Sequence, residues 1–308
     1  MEPKSTRTSE PVARRPGGVA RIALVALALL LCAAPLSLAA APLPVVAAEN
    51  FYGDVARQIG GASVTVRSIL SDPNQDPHLF EASPSVARAL AGARIVVYSG
   101  IGYDPWMTSL LASTPSSTRR VLVVADLAGK KPGDNPHLWF DPNTMLAFAK
   151  AFASQLEALD PSAAAGDQRR LQAFDTSMQP VLAKVAAMRA RFAGTPVTAT
   201  EPVADYLLGD LGLVVRNDAF QLAVMNATEP SASSVAAFES DLKDHRVKML
   251  VYNSQASDPL AERMRTVATT AGVPVVGVTE TEPAGKTYQQ WMMGVLDAID
   301  TALGGTRP

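Results

Sequence analysis

The sequence predicts an α/β protein of two lobes, each a four-stranded, mainly parallel sheet flanked by helices, joined by one long rigid helix. Short Val-, Ile- and Leu-rich runs alternate with amphipathic stretches from Val45 onward. Uninterrupted apolar runs suit strands buried on both faces, and strand–helix alternation implies parallel pairing with right-handed crossovers. Four such runs fall on each side of a long helical stripe. In that stripe Leu171, Phe174, Met178, Val181, Leu182, Val185, Met188 and Phe192 recur every three or four residues, the period of one buried helix face.

In chain order the strand candidates are Val45–Glu49, Val64–Leu70, Ile95–Tyr98 and Val121–Ala125, then Val197–Thr200, Leu213–Arg216, Lys248–Tyr252 and Val275–Thr279. Helical patterns fall at Tyr52–Ile59, Val86–Ala91, Thr144–Leu159, Ser234–Lys243 and Ala261–Ala271. Pro180 interrupts the long stripe, which predicts either a kink or a restart with proline in the first turn. Gly194 and Pro196 then stop it. The expected division is an N-terminal lobe over 40–160, a connecting helix over 161–194 and a C-terminal lobe over 195–308.

Residues 1–39 read as a signal peptide. Lys4, Arg7, Arg14, Arg15 and Arg21 form a basic leader, followed by the apolar run Ile22–Leu31 and small residues at Ser37 and Ala39, with cleavage expected after Ala39. The apolar run is too short to span a bilayer. The sole cysteine, Cys32, follows Leu30 and Leu31, whereas a lipid-attachment site wants small residues there, so it reads as ordinary signal sequence. The mature chain then has no disulfide and no thiolate ligand. Removing the leader leaves 22 Lys and Arg against 27 Asp and Glu, a mildly acidic exported protein without a basic cluster, which excludes ordinary nucleic-acid binding.

Chemistry concentrates in a repeated motif. The chain has three histidines, and two share a setting: Asp76-Pro77-His78-Leu79-Phe80-Glu81 and Asn135-Pro136-His137-Leu138-Trp139. His78 follows the second strand candidate and His137 the fourth; Glu201 and Glu280 lie at the carboxyl ends of the fifth and eighth. Ligands of open α/β sheets bind beyond the carboxyl ends of strands. Two lobes with facing carboxyl edges would set two imidazoles against two carboxylates, a donor set for a divalent first-row metal. His245, among Lys243, Asp244 and Arg246, reads as part of a solvated helix end.

These motifs resemble the zinc- and manganese-binding periplasmic solute-binding proteins of ABC importers. Asp76-Pro77-His78 with Phe80 and Glu81 is similar to the family's first histidine motif, and Pro136-His137-Leu138-Trp139 with Asp141-Pro142-Asn143 to its second. Glu229-Pro230-Ser231, and Tyr206 five residues after Glu201, continue the similarity over nearly all of the mature chain. The resemblance implies two α/β lobes on a rigid helix and His78, His137 and Glu201 as the first three metal ligands. The family's fourth ligand is an Asp at the end of the last strand; here Thr279 or Glu280 stands opposite it, and Glu280 is the better donor, with Glu282 in reserve. The long His-rich loop of many zinc-specific members is absent, Lys130-Lys131-Pro132-Gly133-Asp134 taking its place. Two carboxylates make the site harder and lean towards manganese, while the general affinity order leans back towards zinc.

The expected function is that of a periplasmic, monomeric carrier delivering zinc or manganese, as transported ligand, to a membrane permease. Glu81 and Asp141 are candidates to orient the imidazoles, or else solvated loop charges. A secreted zinc hydrolase with an open coordination position is the alternative. It lacks an HExxH motif and a Ser or Cys nucleophile with a partnered base. A third class, a carrier of an organic solute, would show an aromatic- and Arg-lined cleft instead.

Overall fold

A computed structural model describes residues 1–11, 41–72, 77, 80–256 and 258–304. The apolar stretch of the leader, the cleavage point after Ala39 and Cys32 lie outside the described residues, as does His78. Residues up to Ala41 form a unit separate from the rest; of these, 1–11 are exposed and have no regular structure.

From Pro42 onward the chain builds two sheets. The first contains β1 (Leu43–Glu49), β2 (Val64–Leu70), β3 (Ile95–Tyr98) and β4 (Arg120–Val123) in the order β2-β1-β3-β4. The second contains β5 (Pro196–Ala199), β6 (Val214–Arg216), β7 (Leu250–Asn253) and β8 (Val275–Val278) in the order β6-β5-β7-β8. Every pairing is parallel. All eight strands fall on the predicted apolar runs, and the central strands are buried on both faces: Val96 and Val97 of β3 and Leu250 and Val251 of β7 are all at most 1% exposed. The fourth run is shorter than expected, Val124–Leu127 turning into a helix.

Helix Asn50–Gly60 shows how a sequence pattern becomes packing. Phe51, Tyr52, Val55, Ala56 and Ile59 share one face and are fully buried. Burying a side chain of this size stabilises by about 1.5–3 kcal/mol. Gly53 allows the close approach to the sheet, since a Cβ there would stand 2.1 Å from Ser68 Oγ. Helix Tyr288–Ala302 carries the same kind of face in Trp291, Met292, Val295, Leu296 and Ile299, and starts with a capping box from Thr287 and Gln290.

The linking helix runs unbroken over Ala164–Phe192. Pro180 does not restart it. Pro180 and Thr176, whose carbonyl loses its partner to the proline, are both exposed, so water can satisfy that oxygen. Leu171, Phe174, Met178, Val181 and Met188 of the predicted stripe are buried, in one hydrophobic cluster that includes residues of both sheets. Lys184 pairs with Asp297 and Asp300, and Arg191 with Asp300 at 2.9 Å, tying the linker to the last helix. Among the described residues no helix is long and apolar enough to cross a membrane.

Candidate metal site

Both sheets direct their carboxyl ends toward one buried polar cluster. His137 follows β4 and the short helix Val124–Leu127 on a loop, in the buried run from Pro136 to Phe140. Its ring packs edge-on to Tyr103 at 5.9 Å and Trp139 at 5.3 Å, which excludes water from its faces. Asn135 orients it: Asn135 Oδ1 accepts from the His137 backbone at 3.0 Å and lies 2.7 Å from Nδ1. The other end of that amide donates to the Pro202 carbonyl at 2.6 Å, so its oxygen faces the imidazole and Nδ1 must be the donor. In the neutral ring Nε2 then carries the lone pair. It is buried, has no hydrogen-bond partner among the described residues, and stands 3.6 Å from Glu280 Oε2.

Glu201 follows β5 and is 4% exposed; Glu280 follows β8 and is fully buried. Asn253, the last residue of β7, bridges them, its Nδ2 donating to Glu201 Oε2 at 2.8 Å and to Glu280 Oε1. The structure thus brings His137, Glu201 and Glu280 together. His78 lies outside the described residues; of its motif, Pro77 is buried and Phe80 packs on Trp106 at 4.6 Å. Among the described residues no three of His, Cys, Asp and Glu form a ready-made donor set.

Glu280 rather than Glu282 faces His137. Glu282 is held elsewhere, its backbone exchanging hydrogen bonds with Asn50 at 2.7 and 2.9 Å, on a cavity of about 490 Å3 also lined by Asp54, Arg57 and Lys286. Burial, then the charge of Asp54, pushes its carboxyl up to about 9. Asp141 does not orient an imidazole. It caps helix Pro142–Leu159 by accepting from Asn143 N at 2.9 Å and Thr144 Oγ1 at 2.6 Å. Glu81 and His245 are exposed.

Sequence reasoning gave no role to Asn135, Asn253, Tyr103 or Glu49. Asn253 sits at the carboxyl end of a strand, the rule that singled out Glu201, but as an amide rather than a candidate ligand it drew no notice. Glu49 ends β1, fully buried, and burial followed by the charge of Asp104 raises its carboxyl well above the ordinary range. Asp104 accepts from the backbone N–H groups of Ser99 at 2.6 Å and Gly100 at 2.9 Å. These bonds work against its burial, which still lifts it to about 6. Tyr103 is pushed well up by burial and then by the charges of Glu280 and Glu49.

Comparison with known proteins agrees with this architecture. The chain is 24% identical over 279 residues to the metal ABC transporter substrate-binding lipoprotein SloC of Streptococcus mutans, covering 84% of this chain and 89% of that protein. It is 22% identical over 282 residues to the manganese ABC transporter substrate-binding lipoprotein PsaA of Streptococcus pneumoniae, covering 84% and 88%. The periplasmic zinc-binding protein TroA of Treponema pallidum shares the fold, with a TM-score of 0.71 at 20% identity over 85% of this chain and 99% of TroA. The sequence model of the family described as ZnuA, zinc-uptake complex component A, periplasmic, matches residues 45–302, and the chain belongs to that family.

Proposed function

We propose that His137, Glu201 and Glu280, with His78 as fourth donor, hold a transported zinc or manganese ion between the two lobes. The observation that carries this reading is the His137–Glu280 contact. Nε2 and Oε2 stand 3.6 Å apart, too far for a good hydrogen bond. Two N and O ligands of a tetrahedral zinc stand about 3.4 Å apart, given bonds of about 2.1 Å. A shared ion accounts for a spacing that leaves a buried nitrogen without a hydrogen bond.

The chain is a substrate-binding component of an ABC metal importer, a carrier rather than an enzyme, and the hydrolase alternative has no support among its relatives. Export through cleavage after Ala39, residence in the periplasm, action as a monomer and the lobe boundaries at 160 and 194 belong to the same proposal. Delivery to a membrane permease completes it.

The test is the metal content of protein purified natively without added metal, followed by competition of zinc against manganese for wild type, His78→Ala and Glu201→Ala. Bound metal and loss of affinity in both variants are expected. Full affinity in either variant removes that residue from the site. Four protein ligands without an exchangeable water mark a carrier; three ligands and a water would mark a hydrolytic centre.

A further inference from the structure

The strand order β6-β5-β7-β8 places Asn253, at the end of β7, between the segment carrying Glu201 and the segment carrying Glu280. Its amide cannot be reversed without loss: Oδ1 accepts from the backbone N–H of Gln255 at 3.0 Å, which turns the amino group to the carboxylates. A primary amide nitrogen has two hydrogens, and both are committed, one to Glu201 Oε2 and one to Glu280 Oε1. The Glu280 backbone is also fixed, because Gln255 Oε1 accepts from the N–H groups of Glu280 at 2.6 Å and Thr281 at 3.0 Å. The ends of β7 and β8 therefore hold the carboxylate pair as one unit.

We infer that Asn253 is a specificity-determining residue of the metal site: by engaging one oxygen of each carboxylate, it restricts Glu201 and Glu280 to one-oxygen ligation and so favours zinc over manganese. The inference rests on these two glutamates being ligands. A carboxylate can offer a metal one oxygen or two. With Asn253 donating, each glutamate supplies one, so that with His137 the described residues give three donors rather than five. Four-coordinate N/O sites suit zinc, whereas manganese is suited by octahedral, oxygen-rich surroundings. Burial of His137, Glu201 and Glu280 limits the water that could raise the count.

The experiment measures zinc and manganese affinities by competition for wild type, Asn253→Ala and the isosteric Asn253→Asp. X-ray absorption of the manganese-loaded proteins then gives the number of ligating atoms. In both variants the zinc-to-manganese affinity ratio is expected to fall about tenfold, the lower end of what losing a ligand-orienting partner costs. The manganese shell should gain oxygen. Equal weakening of both metals, with ratio and shell unchanged, would make Asn253 a structural residue and overturn the inference. Melting curves of the metal-free variants separate misfolding from altered selectivity, and Asn253→Asp keeps the side-chain shape if the alanine variant fails to fold. Metal binding by wild type that survives His137→Ala and Glu201→Ala intact would overturn the site itself, and the inference with it.

Discussion

The two sheets are wound alike, β2-β1-β3-β4 and β6-β5-β7-β8, yet the ends of their central strands hold opposite chemistry. In the first lobe, Glu49 ends β1 beside Asp104, two buried carboxyls of which Glu49 is driven toward its neutral form. In the second, Glu201 follows β5 and Asn253 ends β7, so that Glu201 has an amide donor for a partner where Glu49 has an acid. One topology thus gives an acid pair that suppresses charge and an acid–amide pair that organises it. The first lobe then reaches the polar cluster through the His137 imidazole on a loop, and the second through side chains at its strand ends.

The comparison breaks most sharply if either lobe takes no part in binding. His137→Ala and Glu201→Ala should each weaken zinc binding by about 100-fold or more in a chelator competition, since each removes a proposed metal donor directly. Asn135→Ala should cost about 10–100-fold through lost orientation of His137 while leaving the fold intact by circular dichroism. A change below threefold would mean that Asn135 serves only the Pro202 and Tyr206 contacts, the latter a bond from the tyrosine hydroxyl to its carbonyl at 2.7 Å.

Glu282 tests the cost of buried acid outside the proposed ligand set. Its folded-state value, about 9, lies above the ordinary 4.5. The stability this protonated carboxyl supports is complete below pH 4.5 and is lost as pH rises through about 9, because the unfolded chain releases the proton first. At pH 7 the loss is on the order of 3 kcal/mol. Metal-free wild type should therefore melt progressively lower between pH 5 and 8, and Glu282→Gln should flatten that slope. Equal slopes would show that Glu282 ionises freely in the fold. The smallest effect is expected at Glu49, which burial drives toward its neutral form: Glu49→Gln should leave zinc affinity within about threefold, far less than the loss of a ligand. A tenfold loss would give the first lobe's acid a direct part in binding.

The fold was largely legible. Runs such as Ile95–Tyr98 and Val275–Val278 announce buried parallel strands, and the Leu171–Phe192 stripe announces the linker, because burial on both faces or on one leaves a periodic trace. Pro180 misled only in allowing a helix restart, since its exposure decides whether the lost hydrogen bond matters. Of the buried polar cluster, the sequence pointed to His137, Glu201 and Glu280, by residue type and by place at strand ends or repeated motifs. Asn135 and Asn253 did not stand out, because an amide announces neither charge nor metal affinity.

The sequence by itself determined two parallel sheets, a helical linker and a histidine motif with acids at the ends of later strands, all properties of local pattern. Only the tertiary structure decided that Glu280 rather than Glu282 meets His137, and that Asn253 stands between the two carboxylates. The first follows from the bonds that hold Glu282 to Asn50, and the second from strand order: β7 lies between β5 and β8 in space although β6 follows β5 in the chain, so residues 52 and 27 positions apart share one amide nitrogen.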